Sequence, residues 1–264
     1  MRIPKQIPYF EYQLTKLACQ LPPGTTVLAA GMDKHLSPHT ADSLERIIGP
    51  TRRYRGQRKA RLFSAIRDDR PVPESNGTAA YFCEPLGEEL HALPSVFSSQ
   101  KLDIGTRFLL QHLHRLAPSE TVMDLACGNG VLGLVAIKRG LAGRVVFCDE
   151  SAMAIASAQL NTCRVLPQAV HNVSYHHGDG LVDYTGESVQ LILCNPPFHQ
   201  EHTIDEFVGR RLIAHCGLHL QPGGYLCLVA NRHLDYAPVL QSGFQRVVKL
   251  AGNSKFNILL ASKG

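Results

Sequence analysis

The stretch VMDLACGNGVLGL, Val122 to Leu134, decides the fold. Apolar residues on either side of Asp124 read as a buried strand. Gly128, Gly130 and Gly133 follow, and the chain resumes as an apolar helix from Gly130 to Arg139. A G-x-G-x-x-G spacing between a strand and a helix lets the backbone turn at positive φ and approach a ligand closely. Sixteen residues beyond Gly133, VVFCDE ends a second strand in Asp149, placed to accept hydrogen bonds from ribose hydroxyls. The spacing alone fits a dinucleotide or S-adenosylmethionine. Asp124 separates the two, because a carboxylate at the first strand tip opposes a pyrophosphate and suits an amino group and a sulfonium. Asp179, in HHGDGL after the third strand, adds an acceptor for an adenine amino group. Each acid alone could equally cap a turn. Acids at three successive strand ends make a ligand site the better reading.

Working outward, the region from Ala80 pairs YFCEPL with ELHALPSVFSS and continues in the helix DIGTRFLLQHLHRL. Strands then alternate with helices as far as GYLCLVAN, and FQRVVKLAG with KFNILLAS forms a terminal hairpin. This alternation predicts a doubly wound α/β fold. The N-terminal part is shorter. YFEYQLTKLACQL carries Phe10, Leu14, Leu17 and Leu21 at helical spacing, TTVLAAG reads as a buried strand, SPHTADSLERIIG as a helix and RKARLFSAI as a strand. So few elements cannot cover both faces of a parallel sheet, so the expectation is a partial α/β domain whose front is absent. PVPESNGTA, residues 71 to 79, reads as a linker. The expected division is residues 1–75 and residues 80–264.

The 264 residues are 44% hydrophobic and 19% charged, the balance of an ordinary globular protein. No apolar run approaches the roughly 18 residues of a spanning helix, and MRIPKQIPYFEYQL lacks the apolar core of a signal peptide, so a cytoplasmic protein is expected. Eight scattered cysteines without a C-x-x-C pair predict reduced, buried thiols. His199 with His202 and His215 with His219 have helical spacing, but no carboxylate or thiolate completes a site, so no metal is expected. Between Thr51 and Arg70, eight basic residues face Asp68 and Asp69. That local charge of +6 in a chain of net +5 leaves −1 on the other 244 residues. Such a patch, with Tyr54 inside it, suits RNA, or equally a solvated edge strand protected by charge.

The remaining signal is LCNPPFHQ, Leu193 to Gln200, an apolar strand stopped by two prolines that leave an amide, a stiff turn and an aromatic ring at the strand end. DLACGNG followed by NPPF resembles the class I S-adenosylmethionine-dependent methyltransferases that modify exocyclic or amide nitrogens. VFSSQKLDIGTRFLLQHL, VVFCDESAMAIASAQLN, LCNPPFHQ and VANRHLDY resemble the ribosomal RNA guanine-N2 methyltransferases of the RsmC and RlmG type. The likeness is strongest to the RlmG group, which modifies large-subunit 23S RNA. The resemblance implies a Rossmann-like seven-stranded sheet, S-adenosyl-L-methionine as cofactor and ribosomal RNA as partner. It puts Asp124, Gly128 and Gly130 at the methionine end, Asp149 at the ribose, Asp179 at the adenine and Asn195 between cofactor and target. Asn195, Pro196 and Phe198 would form the catalytic set around the target base. LDIGTRF, with Asp103, Gly105 and Thr106, would pack over the cofactor. Residues 1–75 would be the remnant of a methyltransferase-like domain, with Arg52, Arg53, Arg55, Arg58, Lys59 and Arg61 holding RNA. Ala126 departs from the glycine common in the wider family. The same chemistry on adenine N6 or a protein glutamine amide is an alternative reading, as is a non-catalytic RNA-binding factor.

Overall fold

A computed structural model describes residues 1–73, 77–197 and 203–264, with the backbone alone for 203–206. The chain divides into two compact units, Met1–Thr78 and Ala79–Gly264.

The first unit contains α1 (Ile7–Gln20), β1 (Thr26–Met32), α2 (Thr40–Ile47), β2 (Thr51–Arg53) and β3 (Ala60–Ile66). The strands form a sheet in the order β1-β3-β2, and both pairings are antiparallel. This corrects the parallel sheet on which the expectation of missing cover rested. An antiparallel sheet can bury one face and leave the other open. Val27 and Ala29 of β1 and Phe63 and Ala65 of β3 point inward, where they meet Phe10, Leu14 and Ala18 of α1 and Leu44 and Ile47 of α2. β1 is therefore half-buried, with Leu28 on the open face.

The second unit opens with the antiparallel hairpin of β4 (Ala79–Cys83) and β5 (Glu88–Ala92), then α3 (Ile104–His112). The remaining elements are β6 (Ser119–Leu125), α4 (Val131–Lys138), β7 (Ala142–Asp149), α5 (Ala152–Val165), β8 (Val173–His177) and β9 (Val189–Cys194). They continue as α6 (Thr203–Cys216), β10 (Leu220–Asn231), α7 (Ala237–Gly243), β11 (Arg246–Gly252) and β12 (Phe256–Ser262). A seven-stranded sheet runs in the order β11-β12-β10-β9-β6-β7-β8. The five strands from β10 to β8 pair in parallel, and β12 pairs antiparallel with both β10 and β11. The expected class I doubly wound architecture is what the chain adopts.

Both sheet faces are covered, and residue parity decides which core each side chain joins. Val122, Leu191, Leu193, Cys227 and Val229 join the core under α3, α4 and α5, with Leu109, Leu134, Val135 and Ile155. Met123, Leu125, Ile192, Cys194, Leu226 and Leu228 join the opposite core, with Leu212, Ile213 and Leu240 of α6 and α7. Six cysteines are buried and none is in a disulfide, but Cys19 and Cys163 are exposed, against the expectation of uniform burial. Among the described residues no helix is long and apolar enough to cross a membrane.

After β6 the chain adds β7 and β8 on one side and then returns to place β9 on the other side of β6. Strand order reverses between β6 and β9, whose ends align at Leu125 and Cys194. Ligands of open α/β sheets bind at such a reversal, beyond the carboxyl ends of the strands.

Candidate active site

A cavity opens at this reversal, lined by Leu125, Ala126, Gly128, Asp149, Asp179, Asn195 and Pro196, and also by Phe97. Ala126 and Gly128, from the loop that joins β6 to α4, are the part of the glycine stretch that lines it. Ala126 has φ of +58° and Gly130 of +83°, and Gly130 is the N-cap of α4. Left-handed geometry suits glycine and strains alanine, so Ala126 keeps the loop shape at some cost. The third glycine acts by packing. A Cβ on Gly133 would stand 2.4 Å from Phe147 Cε1 and 2.8 Å from Val145 Cγ1, so α4 approaches β7 because that side chain is missing.

Asp149 terminates β7 at the cavity wall. Its Oδ2 accepts from Gly128 N at 2.9 Å and its Oδ1 from Ser151 N at 2.9 Å. Burial pushes its carboxyl upward in pKa, and those two backbone donors oppose the shift. Each oxygen keeps lone-pair capacity for a ribose hydroxyl. Asp179 also borders the cavity, and its Oδ1 accepts from the Arg211 guanidinium of α6.

Asp124 is placed differently from the expectation of a residue lining the methionine end. It has the parity of Val122, so its side chain points beneath α4 and is fully buried. Oδ2 accepts from Gly133 N at 2.8 Å, while Oδ1 has no partner among the described residues. Burial pushes its carboxyl up to about 8, the Gly133 N–H opposes this and the Asp149 charge adds to it. Asp124 therefore anchors the start of α4, and Leu125 and Ala126 take the cavity wall in its place.

Asn195 follows β9 directly. Its Nδ2 donates to Thr106 Oγ1 at 2.8 Å and to Asp103 Oδ2 at 3.1 Å. Its Oδ1 is buried and unpartnered among the described residues. Asp103 is the N-cap of α3 and accepts from Thr106 N at 2.8 Å through the same Oδ2. Pro196 continues the wall; Phe198, His199 and His202 lie outside the described residues.

Several polar residues that hold the site are not apparent from the sequence. Asn161, fully buried in α5, accepts from His91 N at 2.8 Å and donates to His91 O at 2.7 Å and Asn129 O at 2.9 Å. Asn129 donates to Tyr81 Oη at 3.1 Å. The β4–β5 hairpin is thereby tied to the glycine loop. The available signal was Ser157 and Asn161, polar and four apart on the face that also carries Ala154 and Ala158.

In the first unit, Arg52, Arg53, Arg55, Arg58 and Lys59 are exposed, and the Arg52 guanidinium lies 4.9 Å from the Tyr54 ring centroid. Arg61 instead pairs with Asp33 at 2.9 Å. Arg67 is buried, donating to Ala18 O at 3.2 Å, and Arg70 forks onto Asp68. The accessible patch is thus narrower than the sequence count. Among the described residues no group of His, Cys, Asp or Glu is arranged to hold a metal ion.

Comparison with known proteins fits this geometry. The family described as "Methyltransferase small domain" matches residues 87–260, and that described as "RLMG N-terminal domain" matches residues 1–69. Ribosomal RNA large subunit methyltransferase G of Alcanivorax borkumensis is 41% identical over 259 residues, covering 97% of this chain and 65% of that protein. Its counterpart in Ectopseudomonas mendocina is 39% identical over 263 residues, covering 100% of this chain and 70% of that protein. The chain belongs to the ribosomal RNA large subunit methyltransferase G family. It spans 65% to 70% of the length of these family relatives. The T. thermophilus 16S rRNA N2 methyltransferase RsmC, solved with AdoMet and guanosine, superposes with a TM-score of 0.80 at 24% identity. That match covers 100% of this chain and 72% of that one, and at this identity it speaks to the fold the family shares.

Proposed function

We propose that this chain transfers the methyl group of S-adenosylmethionine to the exocyclic N2 of a guanine in large-subunit ribosomal RNA. The observation that carries the reading is the Asn195 amide, with its nitrogen held by two acceptors and its oxygen buried and unpartnered among the described residues. An unpartnered buried acceptor beside a ligand cavity is what a substrate N–H would satisfy.

The cavity residues suit the methyl donor. Asp149 would take the ribose hydroxyls, Asp179 the adenine amino group, and the loop through Gly128 and Gly130 the methionine end. When bound, S-adenosylmethionine supplies an electrophilic methyl group on a sulfonium that leaves as a neutral thioether. The guanine amino group is a weak nucleophile because its lone pair is delocalised into the ring. Asn195 Oδ1 and the Pro196 carbonyl accept its two hydrogens, which lets the nitrogen pyramidalise and aim its lone pair at the methyl carbon. The stiff Pro196-Pro197 turn keeps both acceptors in place before the base arrives. Phe198, next in the chain, is the aromatic ring on which the base would stack. No strong general base is required, since the nitrogen becomes acidic once it is alkylated. A paired guanine would have to leave its helix to reach the pocket.

Arg52, Arg53, Arg55, Arg58 and Lys59 would contact RNA phosphates, with Arg61 supporting the strand from its pair with Asp33. Residues 1–75 would act as an RNA-holding unit and residues 80–264 as the catalytic one. With such a substrate the chain would work in the cytoplasm.

The test is methyl transfer from labelled S-adenosylmethionine to unmodified ribosomal RNA, followed by digestion to nucleosides. Label in N2-methylguanosine is expected, and Asn195→Ala should lower the rate by about 10²- to 10³-fold, the usual cost of removing one preorganised polar group. Label in N6-methyladenosine, or in protein, would move the substrate and keep the chemistry.

A further inference from the structure

We infer that Asp103 and Thr106 are positioning residues that decide which end of the Asn195 amide faces the reacting nitrogen. This rests on the methyl-transfer reading above. An asparagine amide has two faces of nearly equal shape, a two-hydrogen donor and an acceptor, and rotation by half a turn exchanges them. Only the acceptor face serves an amino-group substrate; the donor face would meet its hydrogens head-on.

Two contacts remove the ambiguity. Asn195 Nδ2 lies 3.1 Å from Asp103 Oδ2 and 2.8 Å from Thr106 Oγ1. Turning the amide over would set Oδ1 against the Asp103 carboxylate, which has no hydrogen to give, and would leave both bracket oxygens without the amide donors. The bracket is itself rigid. Asp103 Oδ2 also takes Thr106 N at 2.8 Å as the N-cap of α3, and Thr106 is buried. The first turn of α3 is thus a fixed template for a side chain 89 and 92 residues away in sequence.

The geometry dictates which substitutions matter. Thr106→Val keeps the side-chain shape and the cap but removes one acceptor, and Thr106→Ser restores it. Asp103→Asn offers an oxygen that can take both Thr106 N and Asn195 Nδ2, so it keeps the bracket while losing the charge; Asp103→Ala loses both. In single-turnover transfer to ribosomal RNA, Thr106→Val and Asp103→Ala should each be slowed about tenfold or more, the equivalent of one hydrogen bond in the transition state. Thr106→Ser and Asp103→Asn should recover to within about threefold, with S-adenosylmethionine saturating in every assay so that a change in cofactor affinity does not enter the comparison. A second readout needs no activity. The side-chain amide protons of Asn195, identified by their absence in Asn195→Ala, should exchange slowly with solvent and faster in Thr106→Val.

Equal losses in Asp103→Asn and Asp103→Ala would overturn the inference, because the charge and not the acceptor geometry would then be acting. An unchanged rate and unchanged amide exchange in Thr106→Val would overturn it too. A wild-type chain that methylates no RNA, yet shows slow Asn195 exchange quickened by Thr106→Val, would sink the substrate reading and uphold the bracket.

Discussion

At the scale of single residues, Asp124 shows how parity outweighs position along a strand. It shares the side of Val122, so it lies beneath α4 with one oxygen on Gly133 N and the other unpartnered among the described residues. Its pKa of about 8 lies far above the ordinary carboxyl value of 3.8. The folded chain therefore holds a proton on Asp124 where the unfolded chain has released it. Its stabilising contribution is full below the unfolded carboxyl pKa and is lost as pH rises toward about 8. For the chain without ligand, urea unfolding from pH 5 to 8 should show stability falling by at most about 1.4 kcal/mol per pH unit from this group. Asp124→Asn resembles the protonated form, so its profile should be flatter; parallel profiles for the two proteins would refute the assignment. Composition and spacing made the acids at three strand ends legible. What they could not supply was the direction each carboxylate faces, which requires knowing that Val122 belongs to the core under α4. The Asn195 bracket was hidden for a similar reason, since only the folded chain brings Asp103 beside it.

At the scale of elements, the seat of α4 on β7 depends on one absent side chain. Gly133 faces Phe147 and Val145 so closely that any Cβ forces the helix outward or the ring off its rotamer. Gly133→Ala should cost about 1–3 kcal/mol in denaturant unfolding, the usual range for overpacking a filled core. Since Gly130 caps that helix and Gly128 N bonds Asp149, the same substitution should weaken S-adenosylhomocysteine binding. Unchanged stability would mean that the helix slides without resistance. The elements of the second unit were legible because each strand is a short apolar run between glycine-rich turns and polar helix starts. The first unit was harder. In TTVLAAG both faces are apolar, with Val27 and Ala29 inward and Leu28 and Ala30 outward, so the period of two that marks a half-buried strand is invisible. β2 is only Thr51–Arg53 inside a basic run, and without it the antiparallel order cannot be foreseen.

At the scale of the whole molecule, charge and chemistry are divided between the two units. The second unit holds the cavity and the Asn195 acceptor, whereas the exposed positive charge of Arg52, Arg53, Arg55, Arg58 and Lys59 belongs to the first unit. Counting charges along the sequence locates this patch but overstates it, because Arg61, Arg67 and Arg70 are occupied by Asp33, backbone carbonyls and Asp68. Contacts to phosphates release counterions, so their number is read from the slope of log affinity against log salt and not from affinity at one condition. Changing the five exposed residues to Gln should therefore reduce that slope by about 0.7 for each phosphate no longer neutralised, up to about 3.5 if all five engage single-stranded RNA. Arg61→Gln should act instead through stability, because its guanidinium already has a partner. S-adenosylhomocysteine binding should be the same in the multiple variant and the parent, since none of the five lines the cavity. Filter binding of a ribosomal RNA fragment across a salt series would decide the matter. An unaltered slope would assign the patch to edge protection of β2, the role that exposed charge on a short edge strand also serves.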